Sequence, residues 1–89
     1  MKHAYLEVTY RKGRPLAAYY YLPRKDGDKS ARTQRTDGGF IIDFDANDKP
    51  IGIEITCLSA LDVSQLNQLL QSLGQKPVAS SDLAPLNAA

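Results

Sequence analysis

The chain has one cysteine, one histidine, one methionine and no tryptophan among its 89 residues. A lone Cys57 excludes an internal disulfide and fits a reducing compartment, so a cytoplasmic location is expected. One His and one Cys cannot furnish a four-ligand structural zinc site, and no metal or cofactor is expected. Any Ser-His-Asp set would have to use His3, beside the first residues, and Gly38-Gly39 reads as a turn and not as a phosphate-cradling loop. No long hydrophobic run exists either. Counting tyrosine as apolar, the longest is Leu16 to Leu22, seven residues, where a transmembrane helix needs about 20. Met1 to Ala4 lacks the apolar stretch of a secretory signal, so no membrane association is expected.

What is there suits one small domain. Hydrophobic residues make up 43% of the chain, enough for a packed core. A chain of this size buries only about 60–65% of its unfolded surface, so the core is thin and a second subunit would add to it. The net charge of +1 hides a division. Residues 1–36 carry nine Lys/Arg against three acids, and residues 37–89 carry two against seven, leaving +6 and −5. Such asymmetry suits a nucleic-acid surface, or two halves that lie side by side and attract each other. The pI of 7.8 is below the value of about 9 typical of dedicated DNA-binding domains.

The periods are legible. Ala4 to Tyr10 alternates, with Ala4, Leu6, Val8 and Tyr10 on one face and Tyr5, Glu7 and Thr9 on the other. Arg11 to Pro15 is a turn, and Leu16 to Leu22 forms a second strand, with Leu16, Ala18, Tyr20 and Leu22 opposite Ala17, Tyr19 and Tyr21. Arg24 to Ser30 is a polar loop, and Ala31 to Thr36 a short polar strand. After the turn at Asp37-Gly38-Gly39, Phe40 to Asp45 puts Phe40, Ile42 and Phe44 inward, and Ile51 to Thr56 puts Ile51, Ile53 and Ile55 inward. The period then changes to 3.6. Asp62 and Gln65 resemble a capping box, Val63, Leu66, Leu69, Leu70 and Leu73 make one apolar stripe, and Gly74 closes the helix. The sum is an α+β domain over residues 1–74: an antiparallel meander of four or five strands with one C-terminal helix packed on one face. Residues 75–89 read as a flexible tail.

The segment IIDFDANDKPIGIEI, with Asp43-Phe44-Asp45 and Gly52-Ile53-Glu54-Ile55, resembles the signature of domain-of-unknown-function family 2283, a group of small bacterial proteins. The AYYYL of residues 18 to 22 and the ART of residues 31 to 33 are similar to its second and third strands, and the likeness covers about residues 4 to 58. Where the family often has an acidic residue before the second strand, this chain has Arg14-Pro15, and where it often has Gly in the turn, this chain has Asn47-Asp48. The resemblance implies a small α+β fold and no established activity. It also implies an antitoxin-type role, because some members are similar to proteins encoded beside small toxin-like partners. A small basic toxin would then be the partner.

Three constellations are candidates for chemistry. Asp43, Asp45, Asn47 and Glu54 fall at the first, third, fifth and twelfth positions of an EF-hand loop. The sixth position wants Gly and is Asp48, and both flanks have strand periods, so a hairpin and not a calcium loop is expected. The outward strand faces carry Tyr5, Glu7, Thr9, Tyr19, Tyr21, Asp43, Asp45 and Glu54. Of these, Tyr5, Tyr19, Tyr21, Asp43, Asp45 and Glu54 form a candidate docking face for a basic protein partner; the same residues also read as a solvated face of good strand formers. Arg32 or Arg35 on a neighbouring strand would relieve repulsion among the acids. Third, Arg11, Lys12, Arg14, Arg24, Lys25, Arg32 and Arg35 offer phosphate contacts, with the sheet tyrosines to stack bases, in an alternative nucleic-acid-binding reading. A hydrolase built on the carboxylates would need a concave pocket, and nothing else in the chain marks one, so a non-enzymatic interaction module is expected. Leu58 and Leu61 before the helix stripe add apolar surface, which makes a homodimer the expected assembly.

Overall fold

The computed structural model describes residues 3–25, 27–36, 38–56, 62–79 and 81. Five strands, β1 (Tyr5–Arg11), β2 (Arg14–Tyr21), β3 (Arg32–Arg35), β4 (Phe40–Phe44) and β5 (Pro50–Ile55), precede one helix, α1 (Val63–Ser72). All pairings are antiparallel. The α+β class with one helix on one face therefore stands, and the bounds fall within about two residues of the alternation in the sequence.

The strands do not lie in chain order as a simple meander would place them. The order is β1-β2-β5-β4-β3, with β5 inserted between the two hairpins. The reason is burial. Ile51, Gly52, Ile53 and Ile55 of β5 are buried, so this strand needs neighbours on both edges. All four residues of β3 are exposed, and the strand is short, polar and basic at both ends, which suits an edge. The polar stretch between β2 and β3 is long enough to carry the chain to that far edge.

The inner face holds the core. Ala18, Tyr20 and Leu22 pack with Phe40, Ile53 and Ile55 beneath Leu66, Leu70 and Val78. Val63, Leu69 and Leu73 of the same helical stripe are half-buried against this cluster. The stripe that offers surplus apolar surface to a second copy is thus largely used within the chain; Leu58 and Leu61 lie outside the described residues. At its N-terminus α1 is capped by Asp62, whose carboxylate accepts from Ser64 N–H at 2.8 Å. At its C-terminus Gly74 donates to the Gln71 carbonyl and Gln75 to the Leu70 carbonyl, the paired bonds of a Schellman motif.

Two expectations are corrected here. The chain does not begin to trail at residue 75. The Asn67 side chain accepts from Val78 N–H at 2.8 Å and donates to its carbonyl at 3.1 Å, mimicking one rung of a β-ladder, and Val78 is only 5% exposed. The packed body thus runs past the expected boundary, because one amide on α1 satisfies the backbone of the returning segment. Leu16 does not face the core either. Thr9 pairs with Ala17 but Tyr10 with Pro15, so Leu16 is the extra residue of a bulge and stands 57% exposed.

Candidate functional site

The outer face of the sheet is built by cross-strand register. One row runs Tyr5, Tyr21, Gly52, Asp43 and Thr33 across β1, β2, β5, β4 and β3. The next runs Glu7, Tyr19, Glu54, Ile41 and Arg35. Tyr19 is flanked on both neighbouring strands by a carboxylate, Glu7 on one side and Glu54 on the other. No described element lies over these rows, whereas α1 covers the opposite face.

The phenols are organised. Tyr5 stacks on Tyr21 at 4.4 Å between centroids with planes 12° apart, and Tyr19 meets Tyr21 at 4.6 Å in a tilted arrangement. Tyr19 crosses the whole of β5 and donates its hydroxyl to Asp43 Oδ2 at 2.5 Å. It does so by lying directly over Gly52, where a Cβ would collide with its hydroxyl and ring carbons. Tyr21 reaches Glu7 Oε1 at 3.4 Å, a weak contact, and Arg24 stands 5.2 Å above the Tyr21 ring.

Electrostatics follow from this geometry. Partial burial raises the Tyr19 phenol well above the usual range, and the hydrogen bond to Asp43 and that residue's charge push it the same way. Tyr21 is raised in the same direction by desolvation and by the charge of Glu7. A folded phenol that holds its proton longer than an unfolded one adds stability below about pH 10, and that stability is lost as pH rises above this value. Absorbance at 295 nm during an alkaline titration should therefore show a phenol ionising later than exposed tyrosines. Tyr19→Phe should delete that late step; its survival in the variant would place the perturbed phenol elsewhere.

The structure sorts the residues singled out in the sequence. Tyr5, Tyr19, Tyr21, Asp43 and Glu54 share the outer face as expected. Asp45 does not. It is 7% exposed, and its Oδ1 accepts from Asn47 N–H and Lys49 N–H, so its carboxylate shapes the β4–β5 turn. Asp45 lies one residue past the end of β4, where its N–H donates to the Lys49 carbonyl and the chain enters the turn. The calcium spacing is that of a hairpin, with Glu54 opposite Ile41 inside the sheet and Asp48 at φ +62° in the turn. Among the described residues no three His, Cys, Asp or Glu gather where a metal ion would sit. A depression of about 670 Å³ runs along α1 between Val63 and Pro77, away from these carboxylates and lined mainly by Asn and Gln side chains.

The seven basic residues do not form one surface. Arg11, Lys12 and Arg14 sit at the β1–β2 turn, and Arg24 and Lys25 follow the opposite end of β2. Arg32 and Arg35 lie on opposite faces of β3. Arg35 joins the outer-face row beyond Ile41, while Arg32 pairs with Phe44, stands 4.0 Å over its ring and donates to Asp48 Oδ1 at 2.7 Å. Of these two, Arg35 is the one on the side of the outer acids. His3 is exposed, and Cys57 lies outside the described residues.

No protein-family model, no curated protein and no solved structure matches this chain. No helix among the described residues is long and apolar enough to cross a membrane. Gly52 and Ile41 are site residues that reading the sequence left out. The signal for Gly52 was present: a glycine inside an otherwise isoleucine-rich strand marks a close approach by another group.

Proposed function

We propose that this chain is a non-enzymatic interaction module that docks a basic segment of a partner protein on the outer face of its sheet. The observation that carries this reading is the contiguous Tyr5–Tyr21–Tyr19 ring cluster, stacked at Tyr5–Tyr21 and tilted at Tyr19, bordered by Glu7, Glu54 and Asp43. Rigid phenols supply contact area at little entropic cost, and the carboxylates steer and orient Lys or Arg. Asp43 is already held by Tyr19, which leaves Glu7 and Glu54, both exposed, as the acids that meet the partner. The likeness of residues 4 to 58 to family 2283 supports a narrower version, an antitoxin-type protein whose partner is a small basic toxin.

The test uses a defined probe. A Lys/Arg-rich peptide, titrated against ¹⁵N-labelled protein, should shift amides of residues 5–9, 17–21 and 52–54, and a Glu-rich peptide of equal length should not. Glu7→Lys with Glu54→Lys should weaken binding at least about tenfold, roughly 1.4 kcal/mol, with the circular dichroism spectrum unchanged. Undiminished affinity in that variant would overturn the assignment of the face. For the narrower version, gentle purification should recover a small basic protein that the same double substitution releases.

A further inference from the structure

The β1–β2 hairpin extends past the rest of the sheet. β5 ends at Ile55, opposite Ala18, so Thr9 to Ala17 continue as a two-stranded ribbon. Its three to four residues per strand project about 10–13 Å. The apex is Lys12 at φ +53° and Gly13 at φ +76°, the two positive dihedrals of a type I′ turn. Such a turn favours Asn, Asp or Gly at its first position, and here that position holds a lysine. Arg11 and Arg14 flank it, and all three cations are exposed. The bulge turns Leu16 outward beside them.

We propose that this ribbon is an arm that grips the groove of B-form DNA, with Arg11, Lys12 and Arg14 on phosphates and Leu16 against the groove wall. It is a surface separate from the tyrosine face and does not depend on that reading. Dimensions favour it: the major groove of B-DNA, about 12 Å wide and 8.5 Å deep, admits a two-stranded ribbon, whereas the A-form major groove of duplex RNA is too narrow. Charge favours it too. No acid occurs between Val8 and Lys25, and the nearest acid along the ribbon, Glu7, lies four residues from Arg11. That is about 13 Å, beyond the screening length of about 8–10 Å. The order of residues argues against a bilayer as the target. A membrane wedge needs its apolar residue leading, and here Lys12-Gly13 leads while Leu16 stands behind on the flank.

Three phosphate contacts predict weak binding with a slope of log K against log[salt] of about −2.7. The measurement is anisotropy of a labelled 16-base-pair DNA duplex from about 20 to 150 mM salt, with amide shifts to locate the contact. Shifts should centre on residues 9–17. Arg11→Gln, Lys12→Gln and Arg14→Gln together should abolish binding, and each alone should reduce the slope by about 0.9. Leu16→Ser should weaken binding several-fold with the slope unchanged, because an apolar contact releases no counterions. Tyr21→Ala, at the far end of the hairpin from the Lys12-Gly13 turn, should leave DNA binding intact. Shifts centred elsewhere, indifference to the triple substitution, equal binding of an RNA duplex, or stronger binding to phosphatidylserine vesicles than to DNA would each overturn the proposal.

Discussion

Replacing Leu70 with alanine is expected to cost about 3 kcal/mol of folding stability, within the range of about 2–5 for such core truncations. Leu70 is fully buried, one turn from the equally buried Leu66, and both press on Tyr20, Ile53 and Ile55. In a domain of this size each kcal/mol moves the melting temperature by about 4–8 °C, so the midpoint should fall by roughly 12–24 °C. The backbone of Leu70 receives the Gln75 N–H of the helix cap, but alanine keeps that carbonyl, so the loss reports side-chain packing alone. The neighbours supply the controls. Leu69→Ala, at a half-buried position, should cost about 1 kcal/mol, and exposed Gln71→Ala should stay within about 0.5 kcal/mol. Urea unfolding with an unchanged m-value checks all three. If Leu69 proved costlier than Leu70, the helix would be presenting a different face to the sheet.

The stripe of Val63, Leu66, Leu69, Leu70 and Leu73 was legible, because a helical period needs only local sequence, but the deeper burial of Leu70 than of Leu69 was not. The strands were legible for the same reason, and so was the inward set Phe40, Ile42, Ile51, Ile53 and Ile55. Strand order was not. Nothing in the polar loop between Leu22 and Ala31 states which edge β3 will take; that is settled globally, by the demand of β5 for two neighbours. The packed position of Val78 was also hidden. A segment of Ala, Ser, Pro and Leu has no period, and its anchor is one amide, Asn67, eleven residues away.

The outer face was readable in outline, since alternation assigns Tyr5, Tyr19, Tyr21, Asp43 and Glu54 to one side. Its exceptions fall where the regular ladder is interrupted or ends. The bulge leaves Leu16 exposed, and Asp45 falls past the end of β4, where it is bonded within the turn. The parity of β3 was likewise invisible, because RTQR carries no apolar residue to mark a face. Its register with β4 puts Arg35 on the outer side and Arg32 on the inner.

Gly52→Ala is the substitution whose sign depends most on this geometry. A glycine inside a strand ordinarily costs about 0.5–1 kcal/mol relative to alanine, so the change would stabilise an unoccupied site. Here the new methyl meets the Tyr19 ring, which must swing off β5 and release Asp43. A hydrogen bond to a charged acceptor contributes about 1.5–3 kcal/mol, so the net effect should be a loss of about 1–2 kcal/mol. In a Tyr19→Ala background nothing occupies the space over Gly52, and the same substitution should gain about 0.5 kcal/mol. The coupling between the two sites should then be roughly 2 kcal/mol. Tyr19→Phe separates the causes: the ring still clashes with the methyl, but no hydroxyl bond remains to be lost, so the cost of Gly52→Ala should shrink. The titration adds an independent check. Once the ring leaves β5 it is solvated and parted from Asp43, and the late-ionising phenol should return toward pH 10 in Gly52→Ala alone. A stabilising Gly52→Ala in the parent chain, with the late phenol still present, would mean that Tyr19 does not lie across the central strand and that the ladder of phenols on this face is not held as described.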